Sequence, residues 1–274
     1  MEAQILSMPF PEYLGHPAVS RSMLWNSWPL KRRPPKTWSH AMRSEPKRTG
    51  PTDFGSALHA AVLEPYLFDD LVLCGPEDRR GNKWSVPKEL ADKNGQILLT
   101  LADYEKCCAI QASLLAEKEI GDLLTGEGNL REKTIIWTDE ETGVECKIRP
   151  DLIIPDQKII IDLKTAANAS KEGFQSSIAE YGYHVQEAMY REGHAALSGS
   201  EFDFYFLAVE PEPPFEFSIF QLSDSYSCAG YNIFRSQLYD YKECAERNHW
   251  PGYPRRVVEI DLPHWMRNEI SYED

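Results

Sequence analysis

The chain has 274 residues, 42% of them hydrophobic, which is enough for one large domain or two modest ones with an ordinary core. Its formal net charge of −14 argues against a protein that coats itself with nucleic acid, because binding to phosphate rests on lysine and arginine. No apolar run approaches the roughly 18 residues that cross a bilayer, and the N-terminus lacks the basic-then-apolar order of a signal peptide. We therefore expect a cytoplasmic protein that does not enter membranes.

The positive charge is concentrated near the N-terminus. Between residues 31 and 48, seven basic residues stand against one acidic residue, a local net charge of +6 that leaves −20 for the rest of the chain. A basic patch on an acidic body is typical of a surface that follows phosphates, whereas a solvated charged loop is the simpler interpretation of this run by itself. The candidate DNA-binding residues are Lys31, Arg32, Arg33, Lys36, Arg43, Lys47 and Arg48.

Residues in the first half of the chain indicate mainly helices. Two helices are predicted, one over residues 20–25 with a serine cap and one from residue 55 or 56 to Pro65. Residues 75–96 are polar and rich in glycine and proline, and they are predicted to form a surface loop. The apolar spacing over residues 99–124 predicts an amphipathic helix.

After residue 130 the period of the apolar residues changes to two. The stretch "KTIIWTDEETGVECKIRPDLIIPDQKIIIDLKT" indicates three strands, with turns at 139–143 and 155–158. A helix is predicted over 174–197, followed by two strands on either side of a proline-rich turn. A last amphipathic helix is predicted over 224–248.

Neither an internal repeat nor an interdomain linker interrupts this order of elements. One α/β domain is the simplest account of it. We place the body of the domain at residues 51–274 and a helical, basic extension of the same domain at residues 1–50.

The stretch "RPDLIIPDQKIIIDLKT" is an apolar hairpin that carries two aspartates and a lysine. Side chains alternate along a strand, so Asp151 lies on one face of the first strand, while Asp162 and Lys164 share one face of the second. If the loop spans residues 155–158, the symmetric antiparallel register sets Asp151 directly opposite Asp162. Opposed residues have Cβ atoms roughly 5 Å apart, and like charges there are destabilising. A slip of one residue would break this facing pair.

Two carboxylates held together against a sheet need a cation. The other faces of the two strands are apolar, so we expect the sheet to be packed on that side. A divalent metal with oxygen ligands meets the need, and Lys164 points into the same space. The alternative is a salt bridge between Lys164 and one aspartate, with the other aspartate exposed on a solvated face. The hairpin by itself leaves both interpretations open.

The hairpin also carries a family resemblance. "RPD" followed by "DLK" resembles the PD-(D/E)xK nuclease signature, with Asp151 and Asp162 as its acids and Lys164 as its lysine. Short acid-lysine patterns occur by chance, so the flanking residues decide how specific the signal is.

Two further motifs flank the signature in the order of the family. "GSALHAAVLEP" resembles the RecB-like motif built around a helical histidine, here His59, and "HVQEAMY" resembles the Gln-x-x-x-Tyr motif, here Gln186 and Tyr190. "VECKIRPDLI" and "CAERNHWPGYP" look most like the RecE-type (exonuclease VIII) branch of phage and prophage nucleases. The motifs cover roughly residues 50–195.

The resemblance implies a restriction-endonuclease-like α/β core, in which a central mixed sheet is flanked by helices. It implies a site for Mg²⁺, or Mn²⁺ in its place, whose ligands are His59, Asp151, Asp162 and the backbone carbonyl of Leu163. Lys164 would orient or deprotonate a water, and Gln186 and Tyr190 would hold DNA or order the metal shell. A core histidine and a buried tyrosine are the alternatives for His59 and Tyr190. Glu64 and Glu132 are secondary candidates.

The function implied by the resemblance is a metal-dependent exonuclease that degrades linear double-stranded DNA from its ends. Relatives of the RecE type work 5′ to 3′ and leave a 3′ single strand for recombination. The resemblance therefore also implies a single-strand annealing protein as a partner, a homo-oligomeric ring, and a bacterial or phage-infected cell as the location.

Two other functions stay open at this point. One is an endonuclease or single-strand nuclease of the same superfamily, some of whose members carry an iron–sulfur cluster held by four cysteines, three of them near the C-terminus. Only Cys228 and Cys244 lie there, and the six cysteines form no C-x-x-C pair, so we expect no cluster. The other is a non-catalytic module that binds DNA ends on a degenerate nuclease fold.

Overall fold

The computed structural model describes residues 3–25, 34–42, 50–262 and 266, which form three sheets with helices around them. The strands are β1 (Gln4–Leu6), β2 (Val72–Cys74), β3 (Ile97–Leu99), β4 (Leu130–Arg131), β5 (Thr134–Thr138), β6 (Glu145–Ile148), β7 (Leu152–Ile154), β8 (Ile159–Thr165), β9 (Asp203–Val209) and β10 (Phe217–Phe220). The helices are α1 (Phe10–Gly15), α2 (Arg21–Trp25), α3 (Pro35–Met42), α4 (Gly50–Leu63), α5 (Pro65–Leu71), α6 (Asn82–Lys93), α7 (Leu101–Ala116), α8 (Lys118–Thr125), α9 (Lys171–Tyr181), α10 (Tyr183–Ser198) and α11 (Asp224–Glu246).

The largest sheet is mixed and has five strands in the order β10-β9-β8-β7-β4. β8 pairs antiparallel with β7 and parallel with β9. Parallel neighbours need a crossover connection, and α9 and α10 supply it between β8 and β9. β8 is therefore the central strand, and it carries Asp162 and Lys164 into the middle of the sheet.

This sheet is packed on both faces. On one face Leu152 and Ile161 join the core that includes α4 and α7. On the other face Ile153 and Ile160 are fully buried against the core that includes α10 and α11. Asp162 lies on this second face with 1% of its surface exposed, so the face with the acids is not the solvated one that the salt-bridge interpretation supposes. A buried carboxylate there needs polar or charged partners.

The predicted hairpin register is confirmed. β7 and β8 pair Leu152 with Ile161, so the next positions outward are Asp151 on one strand and Asp162 on the other. The turn falls on residues 155–158, as predicted, and its last residue has a left-handed φ of 55°.

The strand predicted to run through residues 144–154 is two strands in two sheets, so that prediction is wrong. β6 belongs to a three-stranded sheet in the order β1-β5-β6, whereas β7 belongs to the five-stranded sheet. Pro150 lies between them and lacks the amide donor that a strand ladder needs, which accounts for the interruption. Asp151 consequently lies where the chain enters the five-stranded sheet.

Residues 75–96, predicted to be a surface loop, contain a helix instead. α6 connects β2 to β3, which pair in parallel, so the segment is a β-α-β unit. Strands of three residues are too short to show a period of two, and Pro87 lies inside the helix. Tertiary contacts stabilise α6, because Ala91 is fully buried and Lys88 lies 3.7 Å from Asp53.

Two predicted helices are each divided. The helix predicted over 99–124 is α7 and α8, separated at Glu117, and the helix predicted over 174–197 is α9 and α10, separated at Gly182. Gly182 has a φ of 67°, a value that glycine adopts without a steric cost, so the apolar period continues while the backbone turns. α4 begins at Gly50, ahead of the predicted start.

The N-terminal segment is not only helical. α2 coincides with the helix predicted over 20–25, but β1 pairs antiparallel with β5, and Val19 forms a bridge with Cys146. The boundary at residue 50 stays a prediction. Within the described ranges, no helix combines the length and the apolar character needed to cross a membrane.

Candidate active site

His59 reaches the site from α4. Its neighbours Ala57 and Leu58 are fully buried in the core, whereas His59 faces two carboxylates. Its Nδ1 lies 3.5 Å from Oδ1 of Asp151 and 3.8 Å from Oε1 of Glu132. Burial by itself lowers the pKa of His59, but the two carboxylates outweigh it and hold the pKa well above 6.5. The histidine therefore sits among acids and not among core side chains.

Asp151 is held in place by backbone groups. Its Oδ2 accepts a hydrogen bond of 2.6 Å from the N–H of Leu163, and its carbonyl accepts one of 3.1 Å from the N–H of Glu132. Burial by itself raises the pKa of Asp151, but His59 and then Lys164 reverse this and hold the pKa below 3.8. Asp151 is therefore an ionised carboxylate inside the protein.

Asp162 is buried beside Asp151. One of its oxygens accepts a hydrogen bond of 2.5 Å from Nε2 of Gln186, and the other pairs with Nζ of Lys164. Burial raises the pKa of Asp162 to about 6, against the attraction of Lys164, and the charge of Asp151 acts in the same direction as burial. The charge of Asp151 therefore opposes the ionisation of Asp162, as expected for acids that the predicted register sets side by side.

α10 brings Gln186 and Tyr190 toward these acids. Gln186 is buried and contacts Asp162 directly. Burial raises the pKa of Tyr190 well above 10, and the charges of Tyr13, Asp162 and Asp151 raise it further. Both residues thus lie on the site side of α10, where the motif predicts them, while their functional roles stay predictions.

Glu132, which directly follows β4, joins His59 and Asp151. One potential ligand atom from each of these three residues lies within 4.8 Å of the other two. Oε2 of Glu132 is 2.7 Å from Nε of Arg149. The pKa of Glu64 is raised by burial and then by the charge of Glu132, so Glu64 lies near this group without being part of it.

Arg21 is a site residue that no sequence motif indicated. Its guanidinium donates a hydrogen bond to the carbonyl of Tyr181. Burial lowers the pKa of Arg21, and the charges of Tyr190, Tyr183 and Asp162 oppose this, so the guanidinium lies in the same electrostatic neighbourhood as Asp162. In the sequence, Arg21 is only an arginine at the start of a short predicted helix. No pattern connects it to Tyr181, which lies 160 positions away.

The basic stretch is largely beyond the part of the chain that the structure describes. Lys36 is exposed in α3, and its N–H donates a hydrogen bond of 3.0 Å to the carbonyl of Pro251. The predicted DNA-binding residues outside the described ranges, or with side chains outside them, are Lys31, Arg32, Arg33, Arg43, Lys47 and Arg48. Their role stays a prediction.

The donor set of the site suits a divalent cation. Three carboxylates, from Glu132, Asp151 and Asp162, lie with the imidazole of His59, and Arg149 and Lys164 each pair with one of the carboxylates. Carboxylate oxygens are the ligands that Mg²⁺ and Mn²⁺ prefer, and an imidazole nitrogen favours Mn²⁺ over Mg²⁺.

Comparison with known proteins agrees with this arrangement. Residues 36–259 match the family described as a PDDEXK-like domain of unknown function (DUF3799), and the chain belongs to that family. A solved structure of a "Putative exonuclease" from Eubacterium rectale has a TM-score of 0.64 and 14% identity, covering 98% of this chain and 100% of the other. The structure of SSO0001 has a TM-score of 0.30 and 17% identity, covering 74% of this chain and 89% of the other. No curated protein matches the chain.

The predicted superfamily and fold class are thus confirmed. The protein is a PD-(D/E)xK superfamily member with a restriction-endonuclease-like α/β core, in which a central mixed sheet is flanked by helices. At 14% identity the Eubacterium rectale protein shares the fold alone. Family and fold together support a nuclease, and they do not single out the RecE-type branch.

Proposed function

We propose that the protein is a divalent-metal-dependent deoxyribonuclease that hydrolyses linear double-stranded DNA from its ends. The observation that supports this most is that His59, Asp151, Asp162 and Lys164 lie together, although they come from α4, from the link between two sheets and from β8. Neither a solvated salt bridge nor a core histidine accounts for that convergence.

The residues divide into metal ligands and groups that act on DNA or water. The ligands of a Mg²⁺ ion, or of Mn²⁺ in its place, would be His59, Asp151, Asp162 and the backbone carbonyl of Leu163. When bound, such an ion polarises the scissile phosphate and lowers the pKa of a water. Lys164 orients that water or takes its proton, and its charge offsets the charge that develops on the phosphate.

The remaining polar residues orient the reacting groups. Gln186 fixes one oxygen of Asp162 through its 2.5 Å hydrogen bond, which leaves the other oxygen on the side of Lys164. Tyr190 on α10, and Arg21, whose guanidinium donates a hydrogen bond to the carbonyl of Tyr181, are the candidates for contacts with the DNA backbone. Lys36, which is exposed in α3, and the other basic residues of the stretch 31–48 hold the duplex farther from the cut.

We further propose that digestion runs 5′ to 3′ in the RecE manner, producing a 3′ single strand for recombination. The RecE-like sequence motifs support this polarity, and the fold shared with the "Putative exonuclease" of Eubacterium rectale supports exonuclease action. The same motifs support a homo-oligomeric ring and a single-strand annealing partner in the cytoplasm of a bacterial or phage-infected cell. A ring with a basic lumen would reconcile the net charge of −14 with DNA binding.

Digestion of linear duplex DNA labelled at either the 5′ or the 3′ ends tests this proposal, with Mg²⁺ present. We expect early release of the 5′ label as mononucleotides, late release of the 3′ label, and no cutting of closed circular DNA. Cutting of closed circles would indicate an endonuclease. Equal release by Asp162→Ala, Lys164→Ala and the unmodified protein would show that the activity is a contaminant and would favour a DNA-end-binding module.

A further inference from the structure

Both ends of the short helix α1 are tied by cations to the chain that leads into the candidate active site. Nη1 of Arg149 donates a hydrogen bond of 2.5 Å to the carbonyl of Met8, just ahead of α1. Nζ of Lys147, whose side chain is buried, donates to the carbonyls of Tyr13 and His16 at the other end of the helix. A buried ammonium needs such acceptors, so the position of α1 is fixed from both ends.

Two aromatic rings of α1 stack on each other, and each contacts one of these cations. The ring centroids of Phe10 and Tyr13 are 6.2 Å apart, with 17° between the ring planes. Nζ of Lys147 lies 4.7 Å from the centroid of Tyr13, and Cζ of Arg149 lies 5.9 Å from the centroid of Phe10. Ring stacking and cation–π attraction both hold aromatic side chains in place. Phe10 also has a proline on each side of it in the chain, which restricts the backbone that carries the ring.

The ring of Phe10 is open to solvent beside the candidate active site. Half of the surface of Phe10, 50%, is exposed although the ring is held by its neighbours. Arg149, which contacts this ring, also holds Oε2 of Glu132 at 2.7 Å, and Glu132 lies with His59 and Asp151. One side chain, that of Arg149, therefore separates the open ring from the acids beside which the scissile phosphate would bind.

We propose that Phe10 stacks on a nucleobase of the DNA substrate beside the scissile phosphate, and that Tyr13 and Arg149 position its ring. This inference rests on the proposed function of the same site. A solitary exposed phenylalanine needs no ligand to explain it. A ring that is held in place on one side and open on the other, next to the acids, has the arrangement of a stacking platform.

The chemistry around Phe10 suits a nucleotide. Every nucleobase has a π face, so stacking on an aromatic ring tolerates any base sequence, as an enzyme that digests DNA from its ends requires. Cations accompany the ring on a chain whose net charge is −14: Arg149 contacts it, and Lys133 donates a hydrogen bond of 2.6 Å to the hydroxyl of Ser7, ahead of α1. Positive charge beside the ring favours the phosphates that flank a stacked base.

Removal of single bases from the DNA tests the inference without cleavage. The Kd of a short duplex is measured by fluorescence anisotropy in Ca²⁺, with an abasic nucleotide at each of the terminal positions in turn. In the unmodified protein, loss of the base that stacks on Phe10 should raise the Kd at least about fivefold. Phe10→Leu should bind the intact duplex about as weakly, and loss of the same base should have no further effect on it. Phe10→Tyr keeps the ring and should restore both the affinity and the sensitivity to the missing base.

The dependence on salt separates stacking from a contact with phosphate. Phenylalanine and leucine are both uncharged, so the ratio of the Kd of Phe10→Leu to that of the unmodified protein should be the same at every salt concentration. Leu14→Ala is the matched control, because it removes an exposed apolar side chain from the same helix, and its Kd should stay within about twofold. Circular dichroism of each variant identifies any loss of folding.

The inference is overturned if no abasic position weakens binding by the unmodified protein, if Phe10→Leu remains as sensitive to the missing base, if Phe10→Tyr binds as weakly as Phe10→Leu, or if Leu14→Ala loses as much affinity. Nucleotide release with Mg²⁺, measured separately, reports on the proposed function. A protein that binds the duplex through Phe10 but releases no nucleotides would retain the inference and lose the nuclease proposal. A protein that digests DNA while Phe10→Leu binds the duplex normally would do the reverse.

Discussion

The backbone N–H of Leu163 donates a 2.6 Å hydrogen bond to Oδ2 of Asp151, which ties the first acid of the site to the residue between Asp162 and Lys164. The orientation of Asp151 is therefore set by the backbone of the central strand. We expect substitutions of the other site side chains to leave this bond and the strand pairing in place, because both are made by the backbone of β8. A change in activity can consequently be attributed to the loss of the substituted group and not to a displacement of Asp151.

Replacing Lys164 by alanine should lower kcat by about 10²- to 10⁴-fold, because the group that orients or deprotonates the water is lost. Mn²⁺ affinity should not fall, since lysine supplies no metal ligand and competes with the ion for Asp162. Steady-state nucleotide release and Mn²⁺ titration measure the two effects. Lys158→Ala, in the exposed hairpin turn, is the control and should retain full activity. Retained kcat in Lys164→Ala would remove this residue from the mechanism.

The imidazole of His59 should make Mn²⁺ support nucleotide release at least as well as Mg²⁺ at equal concentration. His59→Asn replaces the nitrogen ligand by an amide and should lower the ratio of the Mn²⁺ rate to the Mg²⁺ rate. His249→Asn, an exposed position, should leave that ratio unchanged. A clear failure of Mn²⁺ with the unmodified protein would argue against His59 as a ligand.

Arg21→Met should raise the Kd for duplex DNA by roughly tenfold or more, since a hydrogen bond to a charged group such as a phosphate contributes about 1.5 to 3 kcal/mol. The loss of one phosphate contact should also make binding less sensitive to salt. Binding to duplex DNA in Ca²⁺, measured by fluorescence anisotropy at several salt concentrations, tests both effects. Arg80→Met, at an exposed arginine paired with Asp78, is the control. An unchanged Kd and salt slope would place Arg21 outside the DNA interface.

Asp139 should give the fold a component of stability that is lost in acid. Arg235 binds both oxygens of Asp139, at 2.5 and 3.1 Å. Burial by itself raises the pKa of Asp139, but hydrogen bonds from Arg235 and Thr142 outweigh it and lower the pKa to about 2. Because this folded-state pKa lies below the ordinary aspartate value of 3.8, the contribution is present above about pH 4 and disappears as the pH falls toward 2.

Urea unfolding between pH 2 and pH 6 measures this contribution. The unmodified protein should lose more free energy of unfolding than Asp139→Asn over the acid part of the range. Asp156→Asn, in the exposed hairpin turn, should follow the unmodified protein. If the free energy of unfolding fell equally with pH in the unmodified protein and in Asp139→Asn, the expected acid-sensitive contribution of Asp139 would be contradicted.

Local patterns in the sequence predicted the hairpin and its acids correctly. The alternation of isoleucines fixed which side chains share a face, and the length of the turn fixed the register, so Asp151 and Asp162 could be aligned without any tertiary information. The same patterns failed at α6, since its short flanking strands show no period, and at Gly182, since an apolar stripe can continue across a turn of the backbone.

The sequence by itself therefore determined the superfamily, the central hairpin and the set of motif residues, because each depends on spacing along a short stretch of chain. Only the tertiary structure decided that Glu132 and Arg149 complete the group around His59, and that Arg21 lies near Asp162. Those contacts arise where a strand leaves one sheet for another and where an N-terminal helix packs on α10. Charged side chains come together there because elements distant in the sequence pack against each other. The periodicity of the sequence carries no information about that packing.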